Sequence, residues 1–157
     1  MELLFIRHAK AIDRIEWDGD DLLRPLSEEG IKKAREFFKK LPKIYQIEVI
    51  ISSKARRAIQ TAELLKEVYP NVKYFETSKL NPGADPLAYE QIVEKFRGYG
   101  NIAMVGHEPD IGLAVASFLG CEELPIKIRK ASVTHLGGEE TFELHSMIYP
   151  KLLKGVE

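Results

Sequence analysis

Short apolar runs alternate with helical patterns along this chain of 157 residues. The runs predict strands at residues 3–6, 47–51, 72–75 and 101–105. The amphipathic segments between and after them predict helices at residues 28–41, 52–69 and 87–96, with a fourth ending at residue 119. Strands that alternate with helices indicate a mainly parallel sheet with helices on both faces. The first run, Leu-Leu-Phe-Ile, is continuous, as expected of a strand that is covered on both faces.

The last third of the chain follows a different pattern. Residues 131–136 and 141–145 flank Gly137-Gly138, which predicts a hairpin and therefore a mixed sheet at one edge. His135 and His145 lie in this hairpin, and we interpret both as structural residues. The fold class predicted is a three-layer α/β/α sandwich with a mainly parallel central sheet. The length predicts one domain over residues 1–157.

Charge and cysteine content exclude several classes of function. The chain has 23 basic and 24 acidic residues, so it lacks the basic field of a nucleic-acid-binding protein. The single cysteine, Cys121, can form neither an internal disulfide nor a CxxC metal site. No secretory signal and no apolar run of about 18 residues is present. These features predict a cytoplasmic protein with no nucleic-acid or membrane partner.

Polar residues converge where the predicted strands end. Arg7 and His8 follow the first strand, residues 52–57 follow the second, and Gly106 and His107 follow the strand at 101–105. Ligands of open α/β sheets bind beyond the carboxyl ends of the strands. Arginines beside neutral imidazoles suit a tetrahedral dianion, because a guanidinium pairs bidentately with phosphate oxygens. No GxxxxGK[ST] loop, catalytic cysteine or compact metal motif occurs, so we predict neither a cofactor nor a metal site.

Four segments of the sequence carry a family resemblance. They are RHA at 7–9, RPLSEEG at 24–30, SSKARRAIQTA at 52–62 and VGHEPDIG at 105–112. With this order and spacing the chain resembles the histidine phosphatase superfamily of phosphoglycerate mutase-like folds. Within it, the SixA-type phosphohistidine phosphatases are the most similar group. The resemblance extends over most of residues 1–119.

The resemblance implies a role for each matching residue. His8 would be the nucleophile that takes the phosphoryl group, Arg7 and Arg57 would bind it, and His107 would face its oxygens. Arg57 is chosen over Arg56 because only Arg57 begins the family pattern R-A-x-x-T. Arg24 either anchors the acidic loop at 13–24 or binds the phosphoryl group, and the sequence leaves both open.

General chemistry supports a histidine nucleophile here. An imidazole attacks phosphorus only when it is neutral with one free nitrogen, and a backbone carbonyl that holds the other N–H fixes that tautomer. Neighbouring arginines keep a histidine neutral at pH 7 and stabilise charge on the transferring group.

The sequence departs from the family pattern at two positions. Ala9 replaces the usual glycine after Arg-His, which is a small change. In the mutase and phosphomonoesterase branches a glutamate after the third strand protonates the leaving alcohol, whereas here Pro82 occupies its position. Asp85, in the turn that follows, is interpreted as a turn or cap residue in preference to a replacement acid.

These features predict a phosphatase that acts on phosphohistidine in a protein, such as a phosphotransfer or phosphorelay domain, and releases inorganic phosphate. Two alternatives are a phosphomonoesterase of the same fold for a small metabolite and a phosphate-binding module without catalysis. Trp17, in the acidic loop, is either a hydrophobic clamp or a docking point for a protein substrate.

Overall fold

The computed structural model describes all 157 residues and contains six strands and four α-helices. The strands are β1 (Glu2–Arg7), β2 (Val49–Ser53), β3 (Lys73–Thr77), β4 (Asn101–Gly106), β5 (Val133–Gly138) and β6 (Phe142–Ile148). The helices are α1 (Glu28–Phe38), α2 (Arg56–Val68), α3 (Pro86–Lys95) and α4 (Asp110–Phe118). No helix combines the length and apolar character that crossing a membrane requires.

All six strands form one sheet in the order β3-β2-β4-β1-β5-β6. The pairs β1–β4, β2–β4 and β2–β3 are parallel, whereas β5 and β6 are antiparallel additions at one edge. The predicted mixed α/β fold is therefore confirmed. Because β1 and β4 are parallel neighbours, their carboxyl ends bring Arg7 opposite Gly106.

Two apolar clusters cover the two faces of the sheet. On one face, Leu4 and Ile6 of β1 pack with residues of α1 and α2, such as Phe38 and Leu65. On the other face, the alternate residues of β1 and β4 pack with α3 and α4. Strands buried on both faces explain why the sequence of β1 is continuously apolar.

Some element boundaries differ from the sequence prediction. Ser52 and Ser53 belong to β2 and not to the following helix, because both pair with β3. The predicted first helix ends early, at Phe38, and Leu41–Lys43 form a separate 3-10 turn. Gly137 and Gly138 lie inside β5, so the hairpin turn falls at residues 139–141.

The segment between β1 and α1 is held by the RPLSEEG motif. Ser27 caps α1, its Oγ accepting a bond of 3.0 Å from the Gly30 N–H. A side chain at Gly30 would collide with the Lys10 carbonyl, so glycine permits close contact between α1 and this segment. The motif therefore fixes the chain directly after His8.

Candidate active site

Side chains from three neighbouring strands meet at the carboxyl edge of the sheet. Arg7 ends β1 and is followed by His8, Ser53 ends β2, and His107 follows β4. The rings of His8 and His107 lie 5.1 Å apart between centroids. The structure thus brings together the two histidines that the sequence analysis selected.

Only one neutral tautomer of His8 fits its hydrogen bond. Its Nδ1 lies 2.6 Å from the carbonyl oxygen of Ala9, and a carbonyl can only accept, so Nδ1 carries the proton. The lone pair of the neutral ring is then on Nε2. A backbone carbonyl is the partner that the sequence analysis expected for such a ring.

His107 is held by a polar chain that leads to the turn after β3. Its Nε2 lies 2.8 Å from Ser53 Oγ, and this hydroxyl also lies 3.2 Å from Asn81 Oδ1. Asn81 Oδ1 additionally accepts the Lys54 N–H at 2.8 Å. The other ring nitrogen of His107, Nδ1, is buried and has no partner in the protein. Because Ser53 Oγ donates to Asn81 Oδ1, Nε2 carries the proton of the neutral ring and Nδ1 carries the lone pair. Nδ1 can donate to an oxygen of a bound group once this ring is doubly protonated.

The acidic loop joins two of the predicted arginines through Asp21. Arg57 donates to the Asp21 backbone oxygen at 2.8 Å and to its Oδ2 at 3.1 Å. Arg24 donates to Asp21 Oδ1 at 2.9 Å and to the Ile12 carbonyl at 2.7 Å. Partial burial opposes ionisation of Asp21, but the Arg24 hydrogen bond and the positive charges of Arg57, Arg24 and Arg14 hold the pKa of this carboxyl below its usual value.

Arg24 thus does anchor the acidic loop, and its charge also reaches both histidines. Arg57 is 2% exposed and its Nε has no partner, whereas Arg56 is exposed to solvent. The two adjacent arginines therefore occupy different environments, as the motif assignment predicts.

Arg7 lies at the other side of the site. It donates to the Ile128 carbonyl at 2.8 Å, and its Nε has no partner. Glu108, directly after His107, is close enough for its charge to act on Arg7, and it accepts the Gly112 N–H. Burial raises the pKa of Glu108 despite this bond and the charge of Arg7.

Helix α2 positions the segment that carries His8. Thr61 Oγ1 donates to the Arg57 carbonyl at 2.7 Å and accepts the Ala9 N–H at 3.0 Å. Gln60 Oε1 accepts the Leu26 N–H at 2.7 Å. The motif R-A-x-x-T therefore connects α2 to the residue that follows His8.

Both histidines of the site are neutral at physiological pH. Burial is the main cause that lowers the pKa of His8 from 6.5 to about 3, and the charges of Arg57, Arg7 and Arg24 act in the same direction. The hydrogen bond to Ala9 opposes them. Burial and the charges of His8 and Arg57 likewise lower the pKa of His107 to about 3. A neutral imidazole beside arginines is the form that can act as a nucleophile.

We expect the His8 and His107 rings not to titrate between pH 5 and pH 8. Below pH 6.5 these two rings become protonated in the unfolded chain but stay neutral in the folded protein. Each ring therefore lowers the free energy of unfolding as the pH falls from 6.5 toward 3. Imidazole ¹⁵N NMR as a function of pH measures this directly, with a histidine peptide as comparator. A ring that titrates near pH 6.5 would contradict the assignment of that histidine to the buried site.

The sequence analysis did not identify several residues of this edge. Asp21, Ser53 and Asn81 hold the arginines and His107. Of these three, only Ser53 was indicated by the sequence, because it lies in the segment 52–57 that follows the second predicted strand. A side chain at Gly106 would collide with the Tyr89 hydroxyl, so packing requires glycine at this position. Asp85 caps α3 by accepting the Ala88 N–H at 3.0 Å, in line with its interpretation as a cap.

The sequence matches a family model. Residues 3–81, half of the chain, match the model of the histidine phosphatase superfamily (branch 1). The chain therefore belongs to the histidine phosphatase superfamily, as its motifs predicted. A search of curated protein sequences gave no match.

Solved structures share the fold at low sequence identity. The protein histidine phosphatase SixA in complex with tungstate is 21% identical, with 98% of this chain and 99% of that chain covered and a TM-score of 0.84. A mycobacterial glucosyl-3-phosphoglycerate phosphatase is 21% identical, with 92% and 97% covered and a TM-score of 0.75. The alpha-ribazole phosphatase from Shigella flexneri is 15% identical, with 96% and 97% covered and a TM-score of 0.77.

Proposed function

We propose that this protein is a phosphatase that removes the phosphoryl group from phosphohistidine in a protein substrate. One observation carries the catalytic part of the proposal: His8 is buried, neutral and fixed in the tautomer whose Nε2 is free, among arginines and beside His107. Such a ring is an activated nucleophile next to groups that bind a dianion. Arg7 and Arg57 bind the phosphoryl oxygens, Arg24 adds positive charge, and His107 donates from Nδ1 to an oxygen when the bound dianion keeps this ring protonated.

The reaction proceeds in two displacements at phosphorus. In the first, His8 Nε2 forms a bond to phosphorus while the bond to the substrate nitrogen breaks, and the departing imidazole keeps or receives one proton. In the second, the oxygen of a water forms a bond to phosphorus while the bond to His8 breaks and its electron pair returns to Nε2. The water's proton passes to the phosphate or to solvent, and inorganic phosphate leaves. The Ala9 carbonyl holds the Nδ1 proton throughout, which stabilises the positive charge of the phosphorylated ring.

The leaving group argues for phosphohistidine as the substrate. An alkoxide is nearly as basic as hydroxide, whose conjugate acid has a pKa of about 15.7, so an alkyl ester requires a positioned acid. Imidazole leaves readily because its conjugate acid has a pKa of about 6.5. Pro82 occupies the position of the family's acid, and Asp85 is engaged as a helix cap. The fold shared with SixA, a protein histidine phosphatase, supports the same substrate class.

The rim of the site favours a protein over a metabolite. The acidic loop that contacts Arg57 exposes apolar side chains: Ile15 is 99% exposed and Leu23 is 56% exposed. Trp17 packs within its own loop, where its Nε1 donates to the Asp20 carbonyl. Exposed apolar residues at the edge of a charged site suit contact with another protein.

A second candidate function rests on Glu108. Burial raises its pKa, it directly follows His107, and its charge acts on Arg7, so it is a carboxyl suited to protonate an alkoxide. If Glu108 served as this acid, the protein would be a phosphomonoesterase for a small metabolite.

Hydrolysis rates across a substrate panel test the proposal. We expect a phosphohistidine protein to be hydrolysed faster than alkyl phosphates by orders of magnitude, with phosphate esters of acidic phenols between them. Free phosphoramidate separates leaving-group chemistry from protein docking, because it offers a nitrogen leaving group without a protein surface. EDTA should leave the rates unchanged.

Two variants sharpen the comparison. Pro82→Glu should selectively raise the rate on alkyl esters, whereas Glu108→Gln should leave phosphohistidine hydrolysis nearly unchanged. Equal rates of the unmodified protein on alkyl phosphate and phosphohistidine, together with loss of ester hydrolysis in Glu108→Gln, would replace our proposal by the metabolite phosphatase. Tight phosphate binding without turnover of any substrate would favour the non-catalytic module.

A further inference from the structure

A second cluster of metal-ligating groups lies at the opposite edge of the sheet from the active site. It consists of Glu2 at the start of β1, His135 in β5 and His145 in β6. One ligand atom from each residue can be chosen so that all three lie within 4.8 Å of one another. Glu2 is six residues from His8 along a strand, which corresponds to about 20 Å.

Sheet register brings the three residues to one face. Glu2 pairs with Gly137, and Leu4 pairs with His135, so Glu2 and His135 project from the same side of the sheet. The Nε2 of His135 lies 3.0 Å from Glu2 Oε1. This pair is 16% and 39% exposed, so it is accessible to ions from solvent.

A β-bulge adds His145 to the pair. Leu136 pairs with Leu144, but His135 pairs with Ser146, so His145 is the extra residue of β6. The bulge places the two histidine rings 4.9 Å apart between centroids. Bulges often redirect a side chain next to a functional site.

Gly137 supplies the room for the His145 ring. A Cβ at this position would lie 2.6 Å from Cε1 and 2.8 Å from Nε2 of His145, and 3.0 Å from Glu2 Oε2. Its backbone needs no special conformation, since positive φ angles are found at Gly138 and not at Gly137. The glycine is therefore required by the close approach of the two ligand side chains.

Tyr45 supports the cluster from the side of the apolar core. Its ring packs edge-on against His135 with centroids 5.4 Å apart, and its hydroxyl lies 2.7 Å from Ser146 Oγ. Two neighbouring positions, His135 and Ser146, are thereby held in place. Fixed ligand side chains are typical of metal sites with a supporting outer shell.

We propose that Glu2, His135 and His145 form a binding site for one divalent transition-metal ion of the Zn²⁺ class. Two imidazoles and a carboxylate are the ligands that such ions prefer, whereas Mg²⁺ and Ca²⁺ prefer oxygen alone. Metal–ligand distances of about 2.0–2.2 Å require only small side-chain adjustments from the present spacing. Three protein ligands leave a fourth position to water.

The site joins parts of the chain that are distant in sequence. Glu2 is the first residue of β1, whereas His135 and His145 lie in the hairpin formed by the last two strands, β5 and β6. An ion bound at this site stabilises the folded state, because the unfolded chain does not hold these three ligands together. The proposed role is structural, and phosphatase chemistry does not depend on it.

Titration of untagged, metal-free protein with Zn²⁺ tests the proposal. Calorimetry should give one bound ion per chain, and Tm should rise by several degrees at a hundredfold excess of Zn²⁺ over Kd. His135→Ala and His145→Ala should each weaken binding at least about a hundredfold. Gly137→Ala should weaken it as well although it keeps all three ligands, because its methyl group displaces the His145 ring.

Matched variants exclude other sources of binding. His8→Ala tests the active-site histidines and Cys121→Ser tests the exposed thiol, and both should bind Zn²⁺ like the unmodified protein. His145→Ala should also retain full phosphatase activity. The proposal is overturned if no Zn²⁺ binds at millimolar concentration, or if His145→Ala and Gly137→Ala bind as tightly as the unmodified protein.

Discussion

Turnover should stop, and no phosphoenzyme should form, when His8 is replaced by alanine. The substitution removes the Nε2 lone pair that attacks phosphorus and leaves the arginines and His107 in place. The fold should persist, because Ala9 still binds Thr61 and β1 still pairs with β4 and β5. The substitution also removes a ring that destabilises the folded protein at acid pH, because its pKa is lower in the folded state than in the unfolded chain. Tm near pH 5 should therefore not fall.

Trapping of radioactive phosphate on the protein measures this effect. On the unmodified protein the label should be labile to acid, as a phosphoramidate is, and it should be absent from His8→Ala. His145→Ala is the matched control, because His145 is exposed and outside the active site, and it should keep the label. A label that survives acid, or that persists in His8→Ala, would rule out the histidine nucleophile.

Replacing Arg57 by alanine should cost far more activity than replacing its neighbour Arg56. Loss of a charge-assisted contact to the transition state costs a few kcal/mol, or on the order of a hundredfold or more in kcat/KM. Arg56 is exposed, and a solvated arginine contributes almost nothing of this kind. The adjacent pair therefore provides its own control.

Because Arg57 is also paired with Asp21, a loss of activity in Arg57→Ala could come from a less stable fold as well as from a lost contact to the transition state. Asp21 is half-exposed and keeps its bond to Arg24, so its carboxylate remains solvated and paired without Arg57. Thermal unfolding of both variants, together with kcat/KM of Arg57→Lys, checks this point. Equal kinetic effects at positions 56 and 57 would mean that the motif assigns the wrong arginine to the site.

The fold was predictable because its signals are local. Continuous apolar strands, helices ended by proline and the Ser27 cap each follow from a few neighbouring residues, and their order indicates a mixed α/β sheet. The boundaries were less predictable where pairing decides them. Ser52 and Ser53 resemble a helix start in sequence, but hydrogen bonding to β3 keeps them in β2.

The same distinction applies to the residues of the two sites. His8 and His107 could be selected because strand ends of a parallel sheet converge. Asp21 could not, since its contact with Arg57 spans 36 residues and depends on the path of an irregular loop. The proximity of Glu2, His135 and His145 could not be predicted for a related reason: a bulge, which no sequence spacing indicates, brings His145 beside the other two residues.

The Asp21 carboxylate has a consequence for the end of the catalytic cycle. Its single negative charge offsets one of the two positive charges of Arg57 and Arg24, so inorganic phosphate binds to arginines that are already partly paired. The Asp21 carboxylate competes with phosphate for these arginines at a fixed local concentration, because it is part of the same chain. We therefore expect inorganic phosphate to bind weakly at these arginines and to exchange rapidly.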